Sequence, residues 1–351
     1  MQLSTLNFGI FLAYWVDFSF TQSFTASLAW RIPVIIQCVF LIPMGFLIFL
    51  VPETPRYLAN HAAPSESLAV LRRLHSKTLS TDRINALHKS ILETSRLEAS
   101  IDTGSWRDLF HNDAISSQYR FLLACGIQSF QQLGGINALV YYSSTLFESS
   151  IGLSPHISAL LSGFLQTWFF VASFIPWLLI DRVGRRPLLL SMISVMAAVM
   201  AAQAGLVSVI DNQPGTVLAR SAAIGATAML FVFEGAFTIG FQATVWVYPS
   251  EILPLRLRQR GSAISTACNW ILNYLVVQTT PIALDRIGYP TYIIFAVLNA
   301  TWIPVIYLFF PETKGLELEE VDKLFLKDGI VSETEGLVNT EQESSELTGS
   351  Q

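Results

Sequence analysis

Charge is scarce in this sequence. Asp, Glu, Lys and Arg make up 13% of its 351 residues, about half of the roughly 25% usual in soluble domains. That is too little to clothe a soluble enzyme of this length. Cysteine is scarce too. Cys38, Cys125 and Cys268 sit in apolar runs without CxxC spacing, so neither a disulfide framework nor a zinc site is indicated. No block is both strongly basic and aromatic, and the net charge is −5, so nucleic acid is not an expected partner. The five histidines fall mostly in the polar segment 52–119. No His/Asp/Glu cluster has metal spacing and no Ser/His pairing stands out, so no metal, cofactor or enzyme activity is expected.

Apolar residues are abundant, at 52% of the chain, with a mean hydropathy of +0.49. A membrane-spanning helix needs about 20 mostly apolar residues to cross roughly 30 Å of hydrocarbon. Eight stretches qualify: 3–22, 31–51, 120–142, 157–180, 187–209, 220–247, 261–283 and 289–310. The expected fold is therefore an all-α polytopic membrane helix bundle embedded in lipid. The first stretch lacks a basic n-region and a small-residue cleavage site, and reads as a true span.

Basic residues orient the bundle. Arg182, Arg185, Arg186, Arg256, Arg258, Arg260, Lys314, Lys323 and Lys327 lie on one side, against Arg31, Arg220 and Arg286 on the other. The positive-inside rule then places both termini and the segment 52–119 in the cytoplasm. Within that segment Thr81 and Asp82 suggest a helix start, followed by Ile84, Leu87, Ile91 and Leu92 at helical spacing. From Asp328 onward the tail is acidic, without Lys, Arg or apolar periodicity, and is expected to be disordered.

Polar groups inside spans are rare enough to be informative. The third span carries Gln128, Gln131, Gln132, Gly134, Gly135, Asn137, Tyr141 and Tyr142. One reading is a helix unwound near Gly134–Gly135 that lines a cavity. Its amides suit vicinal hydroxyls and its aromatic faces suit a pyranose ring. The other is helix-to-helix adhesion, with Gly allowing close approach and Gln bonding to a neighbour. The seventh span adds Ser262, Ser265, Thr266, Asn269 and Asn273 on one face. The sixth adds Gly240, Gln242, Thr244 and Trp246. Asn269 serves equally as adhesion and Trp246 as an interfacial belt residue. Together these spans carry amides and almost no charge, which favours a neutral polyhydroxylated solute over an ion. Glu234 is a carboxyl within the sixth span. It is read either as a proton site or as an acid satisfied in the outer half of the helix.

The inner loops combine acids with arginines. Asp181-Arg182-Val183-Gly184-Arg185-Arg186 is one such connection, and Glu251 with Arg256, Arg258 and Arg260 is another. Arg–carboxylate forks can latch helices on one face, whereas the plainer reading is topology alone.

Several motifs in order resemble the sugar porter branch of the major facilitator superfamily, in particular its fungal hexose and lactose permease-like members. They are Trp30-Arg31-Ile32-Pro33 with Gln37, Pro52-Glu53-Thr54-Pro55-Arg56, Gln131-Gln132-Leu133-Gly134-Gly135-Ile136-Asn137 with Tyr141-Tyr142, Asp181 to Arg186, Trp246-Val247-Tyr248-Pro249-Ser250-Glu251-Ile252, and Pro311-Glu312-Thr313-Lys314-Gly315. The resemblance runs to about Leu326. It implies twelve spans in two six-helix halves and sugar movement by alternating access, with protons as a further partner if the protein is a symporter. It implies Gln131, Gln132, Asn137, Tyr141, Tyr142, Trp246, Asn269 and Asn7 as substrate contacts. It implies a cytoplasmic charge network of Glu53, Arg56, Asp181, Arg185, Arg186, Glu251, Arg258 and Glu312. Phe169 and Thr238 depart from the family pattern, standing where several members have an asparagine and some a glutamate.

Matched to that pattern, the eight stretches correspond to the fifth through twelfth spans. Residues 1–51 would close the first half, 52–119 form the cytoplasmic linker, 120–310 the second half, and 311–351 the tail. The first four helices would then be absent, and the expectation is a fragment unable to transport alone. The resemblance favours a plasma-membrane sugar or polyol transporter, with a non-transporting sugar sensor on the same fold as the alternative.

Overall fold

The computed structural model of the chain describes residues 2–24, 26–61, 64–76, 79–100, 105–111, 113, 116–254, 256–316, 321 and 324–325. The acidic tail expected to be disordered lies outside the described residues. Every element among them is helical. Helices α1 (Gln2–Ser23) and α2 (Ala26–Ile48) form the first two expected spans. The polar segment holds α3 (Pro55–Asn60), α4 (Pro64–His75), α5 (Thr81–Ser100) and a 3-10 turn at Trp106–Phe110. The third span is broken into α6 (Ser117–Leu133) and α7 (Ile136–Thr145), which ends in a π turn at Leu146–Ser150. The fourth consists of α8 (Pro155–Ala172) and α9 (Ile175–Val183), bent by 43°. Then follow α10 (Arg185–Asn212), α11 (Val217–Phe237), a π turn at Thr238–Gln242, α12 (Thr244–Ile252), α13 (Arg258–Ile287) and α14 (Pro290–Phe309).

All eight expected stretches are thus helical. Among the described residues four helical runs are long and apolar enough to span a membrane singly: Ser27–Ile48, Arg185–Asn212, Val217–Ile252 and Pro290–Phe309. The bent pair α8–α9 makes a fifth. The remaining stretches, α1, α6–α7 and α13, carry the Asn, Gln, Ser and Thr side chains that lower their apolarity, and α6–α7 is also broken. Two of these three, α6–α7 and α13, hold most of the polar seam described below.

The chain forms two compact units, residues 1–19 with 105–351, and residues 20–104. Grouping residues 1–51 together does not match this division, because most of α1 packs on the later helices. Ser4 Oγ donates to the Ser173 carbonyl at 3.3 Å, Trp15 Nε1 to Thr167 Oγ1 at 3.0 Å, and Tyr14 OH to the Val140 carbonyl at 2.6 Å. In the smaller unit α2 is predominantly apolar and leaves Ile35, Phe40, Met44 and Ile48 exposed, as a helix made for apolar surroundings does. Its polar helices knit locally, with Ser67 Oγ donating to the Pro55 carbonyl at 2.8 Å and Leu71 and Ile84 buried. The side chain at the start of α5 is Ser80, one residue before the expected Thr81–Asp82 pair, and its Oγ accepts the Arg83 N–H at 3.5 Å.

The larger unit is organised around α10, which packs on both α11 and α14. Leu189, Ile193, Met196, Met200 and Val207 run down its buried face and meet Leu230 and Phe233. Close packing of this kind holds membrane helices together, because apolar side chains are as well solvated by lipid as by one another. On the other side α6 packs along α13, and there the contact is polar.

Candidate functional site

The seam between α6 and α13 is a net of amides. Asn269 Nδ2 reaches Gln128 Oε1 at 2.7 Å, Gln131 Oε1 at 2.9 Å and the Gln128 carbonyl at 3.2 Å. Gln132 Nε2 donates to Asn269 Oδ1 at 2.9 Å. Asn137, at the start of α7, donates to Gln132 Oε1 at 2.6 Å and to Asn273 Oδ1 at 2.8 Å. Gln128 Nε2 donates to the Val245 carbonyl of α12 at 3.2 Å, and Tyr142 OH to the Val277 carbonyl of α13 at 3.1 Å. Four helices are joined without a single formal charge. Amides suit this place because each both donates and accepts, so a closed net leaves little unsatisfied in a medium that punishes orphan polar atoms.

Part of the seam remains open. Among the described residues no partner engages Gln131 Nε2, Asn137 Oδ1 or Asn273 Nδ2. Tyr141 is 51% and Trp246 38% exposed. No hydrogen bond joins Tyr141 or Trp246 to these amides among the described residues. Two apolar grooves of about 480 and 620 Å³, one lined by Ala201, Gly205 and Val297 and the other by Leu161, Pro214 and Ile224, lie elsewhere and include none of these amides.

Gln131, Gln132, Asn137 and Asn269 therefore lie together, with Tyr142 tied to the same helix α13. Asn7 lies apart from them. It forms a reciprocal amide pair with Gln242, at 3.0 and 2.6 Å, and donates to the Phe169 carbonyl at 3.2 Å. With none of its surface exposed, Asn7 has little left to offer a ligand. The backbone of Phe169 supplies a polar contact in this pair although its side chain cannot.

The break between α6 and α7 shapes the seam. Gly135 has φ of 94°, a left-handed conformation that side chains with a Cβ adopt at a cost. A Cβ there would fall 2.9 Å from Phe295 Cδ1. The turn rotates α7 so that Asn137 faces α13.

Glu234 sits at the middle of the 36-residue run Val217–Ile252, rather than in its outer half. It is fully buried, and neither carboxyl oxygen has a hydrogen-bond partner among the described residues. Any partner for its carboxyl oxygens must come from outside the described residues. Tyr14 lies within electrostatic reach of it, while Thr238 Oγ1 donates to its backbone carbonyl at 2.6 Å.

At the other end of these helices the chemistry changes. The connection from Asp181 to Arg186 is almost entirely helical: α9 runs to Val183, Gly184 turns with φ of 103°, and α10 begins at Arg185. Two arginines at a helix N-terminus oppose the helix dipole. Glu312 offsets this by accepting the Arg185 and Arg186 N–H groups, both at 2.9 Å. Arg185 also bridges to Glu251 at 3.0 Å and to Asp181 at 3.4 Å. Glu251 takes the Thr313 hydroxyl at 2.6 Å, and Lys314 Nζ donates to the Arg182 carbonyl at 2.6 Å. The segment after α14 thus ties α9, α10 and α12 together.

Other expected members make further contacts. Arg186 points to Tyr307, donating to its carbonyl and stacking 5.2 Å from its ring. Arg258 donates to the Leu253 carbonyl at 3.3 and 3.2 Å. Glu53 and Arg56 belong to the smaller unit, where Glu53 is exposed next to Thr54, the cap of α3. A second tie, unremarked in the sequence, joins Asp113 to Arg256 and to Ser117, whose N–H and hydroxyl both donate to it at 2.7 Å. Burial alone would raise the Asp113 carboxyl, but the Ser117 hydrogen bonds and the Arg256 guanidinium together hold it below the usual carboxylate value. Arg120 is buried as well, donating to the Ile252 carbonyl and lying 4.8 Å from the Phe325 ring.

Comparison with known proteins accords with this arrangement. The family described as "Sugar (and other) transporter" matches residues 1–325. The sugar transporter STL1 of Saccharomyces cerevisiae is 34% identical over 330 residues, which is 92% of this chain and 55% of that protein. Polyol transporter 5 of Arabidopsis thaliana is 30% identical over 338 residues, 91% of this chain and 61% of that protein. The chain thus spans somewhat over half the length of these relatives. Among solved structures, the proton:xylose symporter XylE bound to 6-bromo-6-deoxy-D-glucose superposes with a TM-score of 0.70 at 23% identity, covering 93% of this chain and 67% of that one. That likeness shows the major facilitator fold. This chain is an integral membrane protein that belongs to the sugar transporter family.

Proposed function

We propose that this chain supplies the sugar-recognising wall and the cytoplasmic latch of a secondary transporter for a monosaccharide or polyol. The observation that carries the proposal is the charge-free amide seam of Gln131, Gln132, Asn137 and Asn269, with polar atoms of Gln131, Asn137 and Asn273 still unengaged. Hydroxyls of a neutral solute replace water there without bringing charge into the membrane. The printed names of the relatives, a sugar transporter and a polyol transporter, support this solute class. Alternating access would move α7 and break the Arg185–Glu251 bridge as the cytoplasmic face opens. Arg–carboxylate pairs at that partly wet face suit a contact made and broken in each cycle. The basic loops support cytoplasmic termini, and the plasma membrane is the location we propose.

Glu234 is the proton site we assign. A buried carboxyl without partners changes charge only at a price in solvation, which couples its protonation to the opening of the helices around it. The test is equilibrium binding of labelled glucose, xylose and glycerol to the purified chain in lipid nanodiscs, measured across pH. Saturable binding of at least one neutral solute is expected, with a pH dependence flattened in Glu234→Gln. Absence of binding across the panel would overturn the assignment of the seam. An unchanged pH profile in Glu234→Gln would overturn only the proton site.

A further inference from the structure

The α6–α7 break is held from a helix that contributes nothing to the amide seam. Where the backbone turns through Gly135, the next helical N–H, that of Leu139, goes to the Gly135 carbonyl at 3.2 Å. The Gly134 carbonyl takes instead the side chain of Asn299 on α14, whose Nδ2 donates to it at 3.1 Å. The same amide nitrogen donates to the Phe295 carbonyl one turn back, at 2.8 Å, which fixes its direction. Asn299 is buried, with 1% of its surface exposed. On either side of it along α14, Phe295 covers Gly135 and Trp302 stacks on Phe130 with ring centroids 3.4 Å apart. Residues 295, 299 and 302 share one helix face by their spacing, and that face grips both sides of the break.

We propose that Asn299 is a positioning residue for the hinge that carries Asn137, Tyr141 and Tyr142. A carbonyl released from its helical partner in an apolar interior must find another donor, and Asn299 is that donor. It holds α7 at the angle that closes Asn137 onto Asn273, and the gate opens when this bond is exchanged. The part concerning ligand access rests on the proposed function; the hinge itself does not. The blander account is that Asn299 merely adheres α14 to α6 and supports the whole bundle equally.

Amide hydrogen exchange separates the two, using the purified chain in nanodiscs without ligand. Asn299→Leu keeps the size and removes the donor, whereas Asn299→Gln keeps a donor. If the hinge is set by this bond, Asn299→Leu speeds exchange of amides 136–145 about tenfold while amides of α10 and α11 stay within about twofold, and Asn299→Gln restores much of the protection. Asn299→Ser, with a shorter donor, carries the same test at smaller amplitude should the Leu variant not fold. Faster exchange everywhere, or none at 136–145, would overturn the proposal. Sugar binding measured in the same preparations reports separately: a wild-type chain that binds no sugar, yet shows the local exchange change, defeats the substrate reading and leaves the hinge intact.

Discussion

The larger unit fastens its helices in two different ways at two depths. Within the membrane-spanning stretches, Asn269, Gln132, Asn137 and Asn273 join α6, α7 and α13 with neutral amides, the first two buried and the other two half-buried. At the ends of these helices, Arg185, Glu251 and Glu312 join α10, α12 and the following segment with formal charges, the Arg185 and Glu251 side chains being 13% and 18% exposed. The division follows solvation. An ion costs several kcal/mol to bury, so the Arg185–Glu251 pair keeps some contact with water, whereas neutral dipoles do the joining deeper in the bundle. The proposed function gives the two networks different tasks: amides that exchange partners with a hydroxylated ligand, and ion pairs that separate into water.

Perturbing each network sharpens this contrast. The largest effect is expected from Asn269→Leu, which leaves Gln132 Nε2 and the Gln128 and Gln131 side-chain oxygens without their shared partner; we expect a loss of about 2–3 kcal/mol, read as a lower thermal midpoint of the purified protein. Salt should not alter that loss. Gly135→Ala comes next, at about 1–3 kcal/mol, since it combines a left-handed φ with a clash against the buried Phe295 ring. Arg185→Ala is expected to cost about 1 kcal/mol, because Glu251 keeps Thr313 and Glu312 keeps its two backbone N–H groups. Unlike the amide effect, this one should shrink as salt rises.

The smallest effect concerns Asp113. Its carboxyl is held below its unfolded value, so its stabilisation is fully present above the unfolded value and is lost as pH falls through the folded one. Asp113→Asn should therefore lower stability near neutral pH by less than about 1 kcal/mol and reduce the acid-side loss seen in the wild type. A pH series of thermal midpoints checks this, and an unchanged acid limb in Asp113→Asn would count against the contact.

The helical stretches were legible because apolar runs of spanning length leave few alternatives. The break at Gly134–Gly135 was legible too, since a Gly pair beside clustered amides is poor material for a continuous lipid-facing helix. Partner choice was not. Asn7 finds Gln242, which is 235 positions away, and nothing local to either residue announces the pairing. Arg186 turns to Tyr307 because Glu251 is already occupied by Arg185 and Thr313. Asn299, an amide in the otherwise apolar eighth stretch, is a signal of the same kind as those in the third, but its partner Gly134 is 165 positions away. Gly184 shows why short charged connections mislead: the expected loop is one left-handed glycine between two helices.

The most direct test of the central claim is to measure sugar affinity in one variant of each network under identical conditions, Gln131→Leu for the seam and Arg185→Ala for the latch, both verified as folded. Recognition by the amide seam predicts that Gln131→Leu weakens binding at least about tenfold, the equivalent of 1.4 kcal/mol, while Arg185→Ala stays within about threefold of the wild type. Equal losses in both variants, or full affinity in Gln131→Leu, would contradict it.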